Sequence, residues 1–188
     1  IIGYSAGTRV VAQALAQLAL KNTNPECRGA AEKLRIGQVV LTGSDIDRHL
    51  FGSYLVDGLL DVVENLTIYT SAKDKALGMS RWVFGRGRLG QTVDESLSEA
   101  ATDYLKKTPK LVIVNATDSP GADIGNGHAY FRQSPYTSSD ILATLMFDIA
   151  PADRGLEQRD GGAIWTFSSD YIDRLRKALV AVQKNRRN

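Results

Sequence analysis

The chain has 188 residues, a formal net charge of +2 and 43% hydrophobic residues, a composition typical of one globular domain with a buried core. This small charge, without a basic stripe interleaved with aromatic residues, argues against nucleic acid as a partner. A single cysteine, Cys27, excludes an internal disulfide and a cysteine-based zinc site. The sequence contains no apolar run of about 18 residues, so it predicts no transmembrane segment.

The chain opens with IIGYSAGTRVV, in which Gly3 and Gly7 flank Ser5. This spacing, followed by a helix-forming run, predicts a sharp strand-to-helix turn in which the serine hydroxyl stands clear of the backbone. The alternative is that Ser5 only caps the helix, with the glycines easing the turn. The strand such a turn requires is reduced here to Ile1 and Ile2.

Four short, β-branched apolar runs indicate strands that helices cover on both faces. In chain order they are Ile1-Ile2 and residues 38–42, 66–70 and 111–115. Helical patterns separate them, which predicts parallel strands with right-handed crossovers and therefore an α/β fold.

The predicted helices follow from apolar residues spaced three and four apart. They cover residues 11–18, 48–63, 74–84, 94–105, 140–149 and 170–184. Gly52 and Gly58 are expected to break the second of these, and Ser139 is a candidate N-cap for the fifth. Residues 151–163 are expected to form a glycine-containing loop.

Reactive residues follow each predicted strand, at the edge where parallel α/β sheets bind ligands. Ser5 follows the first strand, Asp45 and Asp47 the second, Asp74 the third and His128, after a loop, the fourth. A serine hydroxyl needs a neighbouring base to become a nucleophile, histidine suits that task, and a carboxylate orients the histidine. The pattern therefore predicts a serine–acid–histidine triad.

Competing assignments exist for the base and for the acid. His49, the other histidine, lies at a predicted helix start, whereas His128 lies in a glycine-bracketed loop at the right edge of the sheet. Asp74 is favoured as the acid, although it is also a plausible helix N-cap. The alternative acids are Asp45 and Asp47, with Asp118 and Asp123 as more remote options.

Two further groups of residues are candidates for shaping the entrance and the acyl pocket. The arginines Arg81, Arg86 and Arg88 would place positive charge near the mouth, unless their loop is simply solvated. The aromatic residues that are candidates for lining the pocket are Trp82, Phe84, Phe131 and Tyr136. For most of them, packing in the core is the alternative.

The sequence resembles the α/β-hydrolase superfamily. GYSAG before an alanine-rich helix, the acid after a later strand and the late histidine carry the resemblance. The stretches VVLTGSDIDRHLF, LTIYTSAKDKALGMSR, RGRLGQ and GHAYFRQSPYTSSDIL are similar to a bacterial branch of hydrolases of unknown function, some of them esterase- or lipase-like. The resemblance implies a serine hydrolase with Ser5 as nucleophile, Asp74 as acid and His128 as base.

The resemblance also implies that family members carry early strands before the serine turn. We therefore expect residues 1–150 to be the C-terminal portion of such a domain, with residues 151–188 a trailing loop and amphipathic helix. The Ala6 N–H would supply one oxyanion donor, and the second would come from outside this chain. Made alone, the 188 residues are expected to be poorly soluble and nearly inactive, because a strand edge and one donor are missing.

Ester hydrolysis through an acyl-serine intermediate is the expected function, acting on a small-molecule or lipid-like ester. A non-catalytic interaction module that kept the fold is the first alternative. Acyl transfer to an acceptor other than water, by the same residues, is the second. No cofactor or metal ion is expected, since the two histidines are far apart and no phosphate-cradling loop follows a strand.

Overall fold

A computed structural model describes residues 1–23, 34–75, 99–158 and 164–187. Within these ranges six strands form one mixed sheet in the order β1-β2-β3-β4-β6-β5. The strands are β1 (Ile2–Tyr4), β2 (Gln38–Thr42), β3 (Asn65–Thr70), β4 (Leu111–Asn115), β5 (Leu156–Gln158) and β6 (Ile164–Phe167). The first four contain or overlap the four predicted apolar runs, and the α/β prediction is confirmed.

Parallel pairing aligns the carboxyl ends of these strands. Tyr4 lies beside Thr42, Thr42 beside Tyr69, and Tyr69 beside Val114. β6 continues the parallel set on β4, and β5 adds an antiparallel edge. The loops that leave β1 to β4 therefore meet on one side of the sheet.

All but the last of the described helices lie on connections between strands, and the last helix follows β6. The helices are α1 (Gly7–Thr23), α2 (Arg48–Val56), a 3₁₀ turn (Leu59–Val62), α3 (Glu99–Lys107), α4 (Tyr130–Gln133), α5 (Pro135–Phe147) and α6 (Tyr171–Arg187). Among the helices of the described ranges, none combines the length and apolar character needed to cross a membrane.

Two hydrophobic clusters occupy the two faces of the sheet. Neighbouring residues of one strand belong to different clusters because side chains alternate across a strand: Leu41 packs in one and Val40 in the other, as do Ile68 and Tyr69. The first cluster includes residues of α1 and α2, and the second includes residues of α5 and α6. Helices on both faces explain why the strands are continuously apolar.

The second predicted helix breaks at Gly58 but not at Gly52, which lies inside α2. α2 ends at Val56, and Gly58 has a φ of +88°, a left-handed conformation that glycine adopts without steric cost. A short 3₁₀ turn then replaces the rest of the predicted helix. Of the predicted helices over 74–84 and 94–105, residues 76–98 lie outside the described ranges.

The prediction for the fifth helix was wrong at its start. α5 begins at Pro135, and its N-cap is Ser134, whose hydroxyl accepts a hydrogen bond from the Thr137 N–H at 3.3 Å. Proline favours the first turn because it has no N–H to leave unpaired, and this signal outweighs the candidate cap at Ser139. Asp140, expected near a helix start, is instead fully buried inside the helix.

Residues 151–158 also differ from the predicted loop. Their last three residues form β5, which pairs antiparallel with β6 between Leu156 and Phe167. Since β6 pairs with β4, the segment after residue 150 extends the same sheet. The remainder of the predicted loop, residues 159–163, lies outside the described ranges.

Candidate functional site

Ser5 lies at the junction of β1 and α1 in a strained conformation. Its φ is +52°, a left-handed value that residues other than glycine rarely adopt. The turn is fixed on both sides: the Ser5 N–H donates to the Thr42 carbonyl at 3.1 Å, and the Ser5 carbonyl accepts from the Thr8 N–H and hydroxyl at 3.0 and 2.6 Å. Strain held by surrounding contacts is characteristic of functional residues.

Gly3 allows the first helix to pack closely over the strand that leads to Ser5. A Cβ added at Gly3 would lie 3.0 Å from Leu41 Cδ2 and 3.1 Å from Thr8 Cα. The same addition at Gly7 meets nothing within 4 Å in the described residues. Only the first glycine of the motif is therefore required by packing within this part of the chain.

His128 is held in place by the loop between β4 and α4. Its backbone N–H donates to the Asn126 side-chain oxygen at 3.1 Å, and the Asn126 backbone carbonyl accepts from the Lys75 N–H at 2.9 Å. Gly127 has a φ of +69°, and a Cβ there would lie 2.1 Å from the Lys73 carbonyl oxygen. The histidine loop thus packs directly on the segment that carries Asp74.

The structure brings Ser5, His128 and Asp74 together, although they lie far apart in sequence. His128 Nε2 lies 2.9 Å from Ser5 Oγ, and His128 Nδ1 lies 2.8 Å from Asp74 Oδ2. The Asp74 side chain is fully buried, whereas the His128 side chain retains 14% of its surface exposed. Both distances are those of ordinary hydrogen bonds.

This arrangement fits one histidine tautomer. With its proton on Nδ1, the imidazole donates to Asp74 and leaves Nε2 free to accept the Ser5 hydroxyl proton. The fully buried carboxylate contacts the ring through this proton and is positioned to stabilise an imidazolium. Chemically, the three groups together can activate a hydroxyl as a nucleophile.

The Ala6 amide lies where a developing negative charge would be favoured. It directly follows Ser5 and precedes α1, whose N-terminus carries the positive end of the helix dipole. In the described residues the Ala6 N–H makes no hydrogen bond. The backbone therefore offers one donor for an oxyanion beside the Ser5 hydroxyl.

The alternative acids lie elsewhere. Asp45 pairs with Arg9, and the Asp47 carboxylate caps α2 by accepting from the His49 and Leu50 N–H groups at 2.9 and 3.1 Å. The remote options, Asp118 and Asp123, are exposed. Of these carboxylates and Asp74, only Asp74 contacts His128.

The structure places the candidate pocket aromatics in different surroundings. Phe131 contacts Tyr4, with ring centroids 4.6 Å apart, and Tyr4 in turn lies 5.0 Å from the His128 ring. Tyr136 packs instead against Phe167 and Tyr171, which fits the core-packing alternative. Trp82, Phe84 and the arginines Arg81, Arg86 and Arg88 lie outside the described residues.

Sequence reasoning missed Tyr4 as part of the site. It stands between Gly3 and Ser5 in the motif, and its ring forms a wall beside the imidazole. Partial burial raises the pKa of its phenol above the usual value, so it remains neutral near neutral pH. Its position next to the serine was the available signal.

Two other contributors were also missed. Gly43 lies against the His128 ring, and the Tyr130 hydroxyl accepts from the Gly43 N–H, so both contacts join segments that are distant in sequence. No local motif marks such residues.

Among the residues that the structure describes, no three histidine, cysteine or acidic side chains cluster in a way that could hold a metal ion.

Comparison with known families gives one match. A family model described as alpha/beta hydrolase of unknown function (DUF900) matches residues 1–145. This span covers well over half of the chain and includes Ser5, Asp74 and His128. No curated protein and no solved structure matches the chain.

Proposed function

Because the chain belongs to the alpha/beta hydrolases of this family of unknown function, we propose that it is a serine hydrolase that cleaves carboxylic esters through an acyl-serine intermediate. One observation carries the proposal. The hydroxyl of Ser5, the imidazole of His128 and the buried carboxylate of Asp74 form a continuous hydrogen-bonded line, with 2.9 and 2.8 Å between partners.

In the acylation step, His128 Nε2 takes the proton from Ser5 Oγ as the oxygen attacks the ester carbonyl. The imidazolium that forms carries its other proton on Nδ1, against Asp74, whose negative charge stabilises it. His128 then gives its proton to the leaving alcohol as the ester bond breaks. The products of this step are the free alcohol and an ester on Ser5.

In the deacylation step, the same histidine removes a proton from water, which attacks the acyl group on Ser5. The acid is released and Oγ regains its proton from His128. The 14% of the His128 side chain that stays exposed is consistent with access for water. If an alcohol replaced water here, the enzyme would transfer the acyl group instead.

Both steps pass through a tetrahedral intermediate with a negative oxygen. The Ala6 N–H, at the start of α1, would donate to this oxygen. Its effect is greatest in the transition state because the charge develops there. Removal of one such donor typically costs on the order of 10²- to 10³-fold in rate.

The test is substitution of the proposed nucleophile in the full-length gene product. Ser5→Ala should abolish labelling by a fluorophosphonate probe and lower turnover of p-nitrophenyl esters by about 10⁴- to 10⁶-fold. Ser53→Ala is the matched control, because Ser53 is an exposed serine on α2 whose hydroxyl donates to the Leu50 carbonyl.

The proposal predicts a full label in the wild type and in Ser53→Ala, and none in Ser5→Ala. Persistent labelling of Ser5→Ala would reject Ser5 as the nucleophile. A folded wild-type protein that takes no label would instead favour a non-catalytic module.

A further inference from the structure

Tyr130, two residues after His128, is fully buried and its hydroxyl makes two hydrogen bonds across the site. It donates to the Tyr69 carbonyl at 2.7 Å and accepts from the Gly43 N–H at 3.0 Å. We propose that Tyr130 is a positioning residue that acts through His128, holding the imidazole in line between Asp74 and Ser5. The kinetic consequence of this inference rests on the proposed serine hydrolase function.

The link from Tyr130 to the imidazole runs through Gly43. A Cβ added at Gly43 would lie 3.1 Å from His128 Cε1 and 3.4 Å from Nδ1. The Gly43 backbone is therefore the floor on which the ring rests, without a side chain between them. Its φ of +54° is a left-handed value that glycine adopts without steric cost.

The link to the acid runs through β3. Tyr69 lies near the end of this strand, and the chain continues from it to Asp74. One phenol hydroxyl thus ties together the strand that leads to the acid, the floor beneath the ring and the segment that follows the base. The three segments approach the site independently, so this shared contact fixes their relative positions.

The phenol keeps its proton under all working conditions. Burial raises the pKa of Tyr130 far above its ordinary value, and the hydrogen bonds from its surroundings do not offset this. The hydroxyl therefore always donates to the Tyr69 carbonyl and always has a lone pair for the Gly43 N–H. Ionisation of the phenol therefore does not break this link near neutral pH.

The test compares two tyrosine variants in the full-length gene product. Tyr130→Phe keeps the ring and removes only the bridging hydroxyl. Tyr171→Phe is the matched control, because Tyr171 is equally buried but its hydroxyl donates to the Asp140 carboxylate at 2.7 Å rather than bridging Tyr69 and Gly43. Both variants lose one buried hydroxyl, so a general loss of stability affects both.

The first readout is independent of ester chemistry. The His128 Nδ1 proton, held against a buried carboxylate, should give a slowly exchanging low-field proton resonance. We expect this resonance in the wild type and in Tyr171→Phe, and its broadening or loss in Tyr130→Phe. A wild type without it, or a Tyr130→Phe variant that retains it unchanged, would overturn the inference.

The second readout is the rate of fluorophosphonate labelling, together with kcat and KM for an ester. In Tyr130→Phe we expect labelling and kcat to fall by about 10- to 100-fold, with KM nearly unchanged, because the base is displaced while the substrate site is intact. Equal effects in Tyr130→Phe and Tyr171→Phe would reduce Tyr130 to a structural residue. A wild type that shows the resonance but takes no label would reject the hydrolase function, leaving the resonance to decide the role of Tyr130.

Gly43→Ala covers the case in which Tyr130→Phe does not fold. This variant retains the hydroxyl but places a methyl group against the imidazole, so labelling should fall by a similar factor. Wild-type labelling of Gly43→Ala would show that the floor does not position the ring, and the inference would fail.

Discussion

The Asp74 carboxylate and the His128 imidazole form the innermost contact of the site, with Oδ2 2.8 Å from Nδ1. The two side chains differ in exposure: that of Asp74 is fully buried, and that of His128 is not. In the proposed mechanism Asp74 therefore acts from behind His128, without touching the substrate. Its contribution has to pass through the orientation and charge of the imidazole.

Asp74→Asn tests this relationship directly. The amide keeps the size of the side chain but removes its charge, and it can present an N–H to Nδ1 and so favour the wrong tautomer. We expect a fall in ester turnover on the order of 10⁴-fold with the fold retained. Rates with p-nitrophenyl esters, alongside circular dichroism of the folded protein, provide the measurement.

Asp45→Asn is the control for Asp74→Asn. Asp45 follows the neighbouring strand but pairs with Arg9. Its substitution should leave turnover within a few-fold of the wild type. A larger loss in Asp45→Asn than in Asp74→Asn would reverse the assignment of the acid.

The close packing of α1 over β1 gives a prediction about stability. Gly3→Ala would place a methyl group 3.0 to 3.1 Å from Leu41 and Thr8, and overpacking of this kind typically costs about 1 to 3 kcal/mol. Gly52→Ala is the control, because an added Cβ there meets nothing within 4 Å. Alanine in a helix interior is more stable than glycine by up to about 1 kcal/mol. Urea unfolding should show opposite shifts, and equal midpoints for the two variants would contradict the packing argument.

The strands and the candidate triad could be predicted because both depend on short-range patterns. Continuous apolar runs mark buried parallel strands, and Ser5, Asp74 and His128 each follow one of them. Parallel pairing then brings the strand ends to one edge without any further information. The serine motif added the helix that begins at Gly7.

The missed features depend on contacts between distant segments. β5 is only three residues long and mostly exposed, so it has no periodic signal, and it forms through its pairing with β6. The hydroxyl of Tyr130 bonds to groups 61 and 87 residues away in sequence. Neither feature can be predicted from a short stretch of the sequence. Ser134 is different: the proline after it was a local signal that the choice of Ser139 overlooked.

Asp140 is the strongest example of a residue whose environment the sequence did not reveal. On α5 its carboxylate accepts hydrogen bonds from the Tyr69 and Tyr171 hydroxyls at 2.6 and 2.7 Å and from Arg154 Nε at 2.6 Å. All of these side chains are buried. Burial is the largest effect on the Arg154 guanidinium and lowers its pKa. The charge and hydrogen bond of Asp140, together with the neighbouring Tyr69 and Tyr171, outweigh burial, so the pKa is raised.

This buried pair gives the third prediction. Arg154→Met leaves the Asp140 carboxylate buried without its counter-charge, and the free energy of unfolding should fall by about 3 to 5 kcal/mol. Arg9→Met breaks the pair with Asp45, in which the arginine side chain is half exposed, and should cost less than about 1 kcal/mol. Urea unfolding of both variants measures the difference. Similar costs for the two would show that burial does not set the strength of the pair.

The same network predicts how stability depends on pH in alkaline solution. Burial raises the pKa values of Tyr69, Tyr130 and Tyr171 above the usual value. The nearby Asp140 charge raises those of Tyr69 and Tyr171 further. A raised pKa means that the folded state keeps protons that the unfolded state loses. The stability from these groups is therefore complete below about pH 10, the unfolded pKa, and is lost as the pH rises above it.

Above about pH 10 each of these tyrosines should lower the free energy of unfolding by about 1.4 kcal/mol per pH unit, since each releases one proton on unfolding. Urea unfolding between about pH 8 and pH 11 measures this slope, and phenolate absorbance should show three tyrosines that ionise only when the protein unfolds. Tyr171→Phe removes one of the three, so its slope should be shallower by one proton. A slope that is unchanged in Tyr171→Phe, or three phenols that titrate freely in the folded protein, would contradict the burial of these hydroxyls.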